Sequence, residues 1–322
     1  MKQETRDFPG TNGEKMTDAE LGKRLGRYQK AEFRWLCAGL IAIAGGIISY
    51  FAVKEPALKA ILTGVLFFGG LCCAIFLSGG ARRKLNALLG EQMGDFFRAE
   101  LEKAFGPEPV VPRMPIGEEL IRSIHLLDGR WEECGTADFR EGVHRGVTFS
   151  AANVRLDHVY RRGAPHEGYE TCSDTVFKGI VLRCGTCETA AAPVCVVRRG
   201  ECGTGEREFD RLFRVMAREE RDAARLLTPR FTALLESFGQ RTGGRLLALS
   251  WEGSVLTLAL ETDRPFAAVG RYVDMGDPEA VRKSYVASLT GMGQMLDLLT
   301  ENTEIIGGSG HEEHSYKEDV EK

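Results

Sequence analysis

Three things are missing from this sequence. It has no large net charge: 42 Lys and Arg against 46 Asp and Glu leave −4, so the electrostatic footprint of a nucleic-acid binder is absent. It has no GxSxG, HExxH or P-loop motif and no GxGxxG placed after a strand, so none of the common nucleophile, zinc-protease or phosphate-cradle chemistries is announced. It has no charged residue from Trp35 to Val53 or from Ala60 to Ala81, and this third lack is the strongest signal in the chain.

The two uncharged stretches read WLCAGLIAIAGGIISYFAV and AILTGVLFFGGLCCAIFLSGGA, each close to the ~20 apolar residues a helix needs to cross a hydrocarbon core. A hairpin buried in a soluble core would be amphipathic, whereas these are apolar all round. Residues 17–81 are therefore expected to form a helix and a two-span transmembrane hairpin, entered at the capping box Thr17-Asp18-Ala19-Glu20. The first apolar run begins only at Trp35 and a second follows at once, so the pair reads as a retained anchor rather than a cleaved leader. Lys23, Arg24, Arg27, Lys30 and Arg34 precede it, Arg82, Arg83 and Lys84 follow it, and the connecting KEPALK holds Lys54 and Lys59 offset by Glu55. Positive flanks mark the cytoplasmic side. The expectation is a multi-pass cell-membrane protein with both termini cytoplasmic and the lipid bilayer as its first partner. Ala38, Ala42 and Gly46 on one helix, and Gly64, Gly69 and Gly70 on the other, are candidate close-approach points; the alternative is that small residues simply face lipid.

The rest of the chain divides by pattern. Residues 1–16 and 307–322 are polar and read as loose tails. Residues 82–106 place Leu85, Leu88, Leu89, Met93, Phe96, Phe97, Leu101 and Phe105 at helical spacing, which predicts a juxtamembrane amphipathic helix. The proline-rich segment 107–117 reads as a linker. From 118 to 306 strand-like runs (VTFSAANVRLDHVY, TVFKGIVLR, PVCVVRR, LFRVMA, RLLALSW, SVLTLALE) alternate with two helical stretches, 219–238 and 278–301. Thr228-Pro229 is expected to split the first helical stretch, and WEGS at 251–254 to turn the last two strands into a hairpin. The fold class is α+β, with segregated helices arguing against a parallel sheet. By analogy alone, a barrel-like sheet closed by the last helix, as in pleckstrin-homology-like domains, is expected.

With two adjacent spans followed by VFKGI, FDRLFRV, ARLLTPRFTALLESF, RLLALSWEGSVLTLAL and a last helix ending MLDLLTENT, the chain resembles a bacterial membrane-protein family known as domain of unknown function 3137. The resemblance covers roughly residues 30–305 and is most specific from Phe177 to Thr303. It implies a two-helix anchor carrying one α+β domain, and it supplies no activity, cofactor or catalytic residue.

Outside that resemblance lies RCGTCETAAAPVCVVRRGEC, residues 183–202, with four of the nine cysteines. Cys184 and Cys187 form a CxxC half-site for zinc, and Cys195 and Cys202, or Cys172 in place of one, would complete a tetrahedral set. The wide second spacing and the strand-like VCVV weigh toward plain packing. No βαβ pattern puts the CxxC at a helix start, where a redox thiol is activated. Other candidates are weaker. HEEH at 311–314 lies in a polar tail, His125, His144, His158 and His166 are scattered, and Arg155, Arg161, Arg162, Arg198 and Arg199 would form a basic face only if strand alternation aligned them.

No catalytic constellation and no cofactor site emerges beyond the zinc candidate. The favoured reading is a membrane-anchored cytoplasmic interaction or regulatory module, with a protein partner or homo-oligomer. A thiol or zinc enzyme built on Cys184 and Cys187 is one alternative. A transport subunit is another, against which stands the lack of an ionisable residue within the spans.

Overall fold

The computed structural model describes residues 16–107, 109, 113–124, 130–162, 170–198, 209, 212–270 and 272–301. The expected tails, His125, His166, Arg199, Cys202 and HEEH lie outside the described residues. The chain is α+β and divides into two compact units, one of Asp7–Ala99 with Arg271–Tyr285, the other built around Glu100–Gly270 with the residues from Val286 onward.

The first unit is helical. α1 (Asp18–Ala52) starts where the capping box places it: the Thr17 hydroxyl accepts from the Glu20 N–H at 3.4 Å. Pro56 opens α2 (Pro56–Cys72), which passes through a π-helical turn, Cys73–Leu77, into α3 (Ser78–Phe105) without a break. The expected boundary between second span and juxtamembrane helix is thus continuous helix. Asp18–Ala52 and Pro56–Phe105 are both long and apolar enough to cross a membrane, and the most apolar window of the second is only 6% buried.

The two helices meet through glycine, at the expected Gly46 and Gly70 and also at Gly39, outside the expected set. A Cβ on Gly39 would stand 2.6 Å from the Gly70 carbonyl oxygen and 2.8 Å from Ala74 Cβ, and one on Gly70 2.7 Å from the Gly39 oxygen. A Cβ on Gly46 would stand 3.3 Å from both the Thr63 carbonyl oxygen and the Phe67 nitrogen, and Ser49 Oγ lies 3.1 Å from Thr63 Oγ1. Ala38 points outward, and Gly64 and Gly69 face open space. Gly39 and Gly46 are two turns apart, the spacing that keeps one face toward a partner helix. A second close approach lies nearer the start of α1. There Gly22 and Gly26 admit the backbone of Gly276, while the Gln29 amide accepts from Met275 N–H and donates to the Val273 carbonyl. Asp18 closes this contact with two hydrogen bonds from Arg282.

The second unit is an open antiparallel sheet. β1 (Glu133–His144), β2 (Val147–Arg162), β3 (Glu170–Arg198) and β4 (Phe213–Ala217) pair in that order, and β5 (Arg245–Glu261) pairs with the other edge of β3. Among the described residues no ladder closes this sheet into a barrel. Two expected strands, TVFKGIVLR and PVCVVRR, are parts of the single β3. Likewise WEGS is no hairpin turn: β5 runs straight through it, residues 255–261 pairing with 179–185 of β3 and 248–251 with 194–197. Gly253, at φ 56°, sits opposite Ala190, where β3 loops out. The glycine thus makes a bulge instead of a reversal.

Both sheet faces are covered. Ala152, Val154, Leu156, Phe177 and Val181 pack under Ile116, Ile121, Ile124 and Trp131, contributed by α4 (Glu118–Ser123) and its flanks. On the other face Phe149 meets Phe105 at 5.0 Å, and Phe105 meets Phe266 at 6.1 Å. α5 (Glu220–Leu226) and α6 (Pro229–Thr242) are split at Thr228-Pro229 as expected, the Thr228 hydroxyl capping Phe231 N–H. Phe231, Leu234, Leu235 and Phe238 form the buried stripe of α6, with Phe231 edge-on to Trp251. Each such side chain contributes ~1.5–3 kcal/mol by leaving water. α7 (Pro278–Thr300) is the last described element.

The segment expected as a linker is bound to the sheet from Arg113 to Ile116. Glu141 of β1, Ser150 of β2 and Arg183 of β3 stand opposite one another in the ladders. The Glu141 carboxylate accepts from Arg113 and Met114 N–H, the Ser150 hydroxyl donates to the Met114 carbonyl at 2.6 Å, and Arg183 donates to the Pro115 carbonyl at 2.9 Å. Three neighbouring strands thus hold three consecutive residues, and Ile116 beyond them is 1% exposed.

Candidate functional site

The cysteines come first because the sequence singled them out. Cys184 sits mid-strand in β3 between Phe149 of β2 and Leu256 of β5 and is fully buried. Burial pushes its thiol up to about 12, since a thiolate there would have no water and no counter-charge. Cys187 is exposed, so the two members of the CxxC do not converge on one point. Cys195 is buried opposite Ser250, with Sγ 3.5 Å from the serine hydroxyl. Opposite Cys184 and Cys195 on β5 stand Leu256 and Ser250, a separation of ~20 Å at 3.3 Å per residue. A shared zinc needs both sulfurs within ~2.3 Å of it, and this structure does not bring them together. Cys172 faces Tyr160 across the β2–β3 ladder. Cys134, half-buried on β1, has a thiol raised to about 11 by burial first and the Glu118 charge second, with Arg122 opposing. Among the described residues no three His, Cys, Asp or Glu side chains gather where they would hold a metal.

The other sequence candidates disperse too. His144 ends β1, its Nε2 2.7 Å from Asp297 Oδ1, which also takes Arg145 at 3.1 Å. This clamp fixes the β1–β2 turn, where Arg145 and Gly146 both have positive φ, the conformation of a two-residue hairpin. His158 pairs with Glu132, whose carboxyl is held below the ordinary range mainly by the Val159 N–H. Arg155 pairs with Asp157, and Arg161 and Arg162 are exposed toward the end of β2. Arg198 lies 5.8 Å over the Phe213 ring on β4.

Sequence reasoning passed over a hollow of about 280 Å³ beside β1, β2 and β3, lined among others by Gly135, Ala137, Asn153, Arg155, Lys178 and Pro265. Gly135 and Ala137 leave it open by having little or no side chain. Asn153 shapes its wall: its amide oxygen accepts from Phe266 N–H, and its amide nitrogen donates to the Phe266 carbonyl and to Asp138, each at 2.8 Å. Its cations are engaged, Arg155 by Asp157 and Lys178 by Asp263 at 3.6 Å. The hollow offers a predominantly apolar wall.

The largest uncommitted surface is on the hairpin. Phe33, Ile41, Ile48, Phe51, Phe68 and Phe76 are each at least 66% exposed, and outside the hairpin Tyr272 alone among the described large apolar side chains is as exposed. No known family, no curated protein and no solved structure matches this chain.

Proposed function

We propose that the chain is a membrane-anchored interaction or regulatory module, in which the α1–α2 hairpin spans the cell membrane with both termini cytoplasmic and the sheet unit serves a protein partner or a second copy of the chain. The resemblance to domain of unknown function 3137 belongs to the same proposal.

The observation that carries the reading is the direction of the hairpin's side chains. Glycine and serine face inward at Gly39, Gly46, Ser49 and Gly70, and phenylalanine, isoleucine and leucine face outward. A soluble hairpin is built the other way round. Exposing each large apolar side chain to water costs ~1.5–3 kcal/mol, and exposed apolar side chains gathered on one element mark an interaction or membrane surface. Hydrocarbon removes that cost, and the basic flanks supply the orientation.

The test is a membrane-fraction assay on the full chain with alkaline phosphatase fused after Lys322. The fusion is expected to stay with the membrane after an alkaline carbonate wash and to be inactive. Release by carbonate would overturn the anchor, and strong phosphatase activity would invert the orientation.

A further inference from the structure

We infer that the hairpin carries a binding surface for anionic phospholipid headgroups, formed by Lys30 and Arg34 of α1 with Arg82, Arg83 and Lys84 of α3. The inference rests on the membrane reading and names a partner for its cytoplasmic edge.

On α1, Lys23, Arg27, Lys30 and Arg34 follow one another at helical spacing and form one exposed stripe with no acidic residue in it. The face turned away from the stripe is the one that buries Leu21, Gly22, Leu25 and Gly26. The stripe ends where hydrocarbon would begin: Arg34 lies 5.6 Å over the ring of Trp35, an aromatic at the position where tryptophan anchors to an interface. Across the hairpin, Arg82 reaches Glu32 at 3.5 Å, which sets Arg82, Arg83 and Lys84 level with the Arg34 end of the stripe. All three are exposed. Five exposed cations therefore lie near one end of the hairpin, within about one helical turn in height, and Glu32, on the side of α1 turned away from the stripe, pairs with Arg82. The opposite end of the hairpin has only Lys54 and Lys59, and Lys59 is turned onto the Tyr50 ring at 3.8 Å.

The helix rise grades the stripe by depth. At 1.5 Å per residue Lys30 lies ~6 Å, Arg27 ~10 Å and Lys23 ~16 Å beyond Arg34 along the axis. With a screening length of ~8 Å at physiological salt, Lys30 and Arg34 feel a charged leaflet and Lys23 does not. A phosphate headgroup is the chemistry that fits, because it brings charge to this height without a protein partner having to enter the interface. Each cation close to the surface is worth about a fivefold preference for anionic lipid.

The experiment purifies the full chain from mild detergent containing equal phosphatidylcholine and phosphatidylglycerol and quantifies the co-purified lipid by mass spectrometry. At least about fivefold enrichment of phosphatidylglycerol is expected for the wild type. The combined variant Lys30→Gln, Arg34→Gln, Arg82→Gln, Arg83→Gln, Lys84→Gln should return to the bulk ratio, and Lys23→Gln should keep the wild-type value. Insertion of both proteins into pure phosphatidylcholine vesicles is measured alongside. Failure of the wild type to insert sinks the membrane reading itself. Insertion with no enrichment, or with enrichment that survives the five substitutions, overturns this inference alone and leaves the stripe to an acidic protein segment. Enrichment lost equally on Lys23→Gln overturns the assignment to the interfacial cations.

Discussion

Cys184 allows the packing and zinc readings of the cysteine stretch to be separated by its chemistry. With its thiol raised to about 12 from an ordinary value of 9.0, only about one molecule in ten thousand carries the thiolate at pH 8, against roughly one in eleven for the ordinary thiol. Alkylation proceeds through the thiolate, so ionisation alone slows Cys184 by a factor on the order of a thousand, before its burial between Phe149 and Leu256 adds steric protection. The assay treats the native full chain in detergent with iodoacetamide and maps adducts by peptide mass spectrometry over time. Cys187, which is exposed, should be modified while Cys184 stays unlabelled until denaturant is added. The same shift has a stability consequence. A group whose folded pKa is raised contributes stability that is complete below its unfolded pKa, near 9, and is lost as pH rises toward 12. The upper bound is about 4 kcal/mol for three pH units at 1.36 kcal/mol each, and Cys184→Ala should flatten that alkaline slope. Labelling of Cys184 within tenfold of Cys187 would refute the reasoning. So would protection of both that a chelator removes, since that pattern requires a shared metal.

Two further outcomes follow from the packing. Gly39→Val should splay the hairpin, because its new atoms meet the Gly70 carbonyl 2.6 Å away, while Gly64→Ala, which meets nothing within 4 Å, should be silent; the melting temperature in detergent distinguishes them, and equal effects would show that Gly39 is not the contact. Glu141→Ala should orphan two N–H groups at about 1–3 kcal/mol each and expose the Arg113 bond to trypsin, and unchanged melting with unchanged cleavage would show that the sheet does not hold that segment.

What the sequence announced was mostly local. The Thr17 and Thr228-Pro229 caps act within one turn of their own residues, so their chemistry is readable without the fold. The outward apolar surface was legible because two long stretches contain no charge. The long-range features were not. β1 is written in ECGTADFREGVH, a string poor in strand formers whose pairing is set by β2. Gly253 signals a reversal or a bulge equally well until the looped-out part of β3 decides. The Gly22 and Gly26 contact hides in a charged helix, where GxxxG spacing is the one available signal. The proline-rich stretch looked free because its partners, Glu141, Ser150 and Arg183, are distant in sequence and polar, and polar residues at alternating strand positions ordinarily signal solvent.

Asn153 has a consequence for how copies of this protein behave beside one another. Among the described residues β1 pairs only with β2, which leaves a rank of backbone donors and acceptors on its outer side, and such an edge is a template for joining a second sheet. The ladder breaks between Ala137 and Arg140, where Asp138 takes φ 53°, and a bulge of this kind turns an edge strand away from an incoming one. The Asp138 carboxylate is tied in place by the amide that also holds Phe266. One half-buried hydrogen-bonding fork therefore maintains the kink that turns the β1 edge away from an incoming strand, and so guards neighbouring copies against edge-to-edge sheet growth.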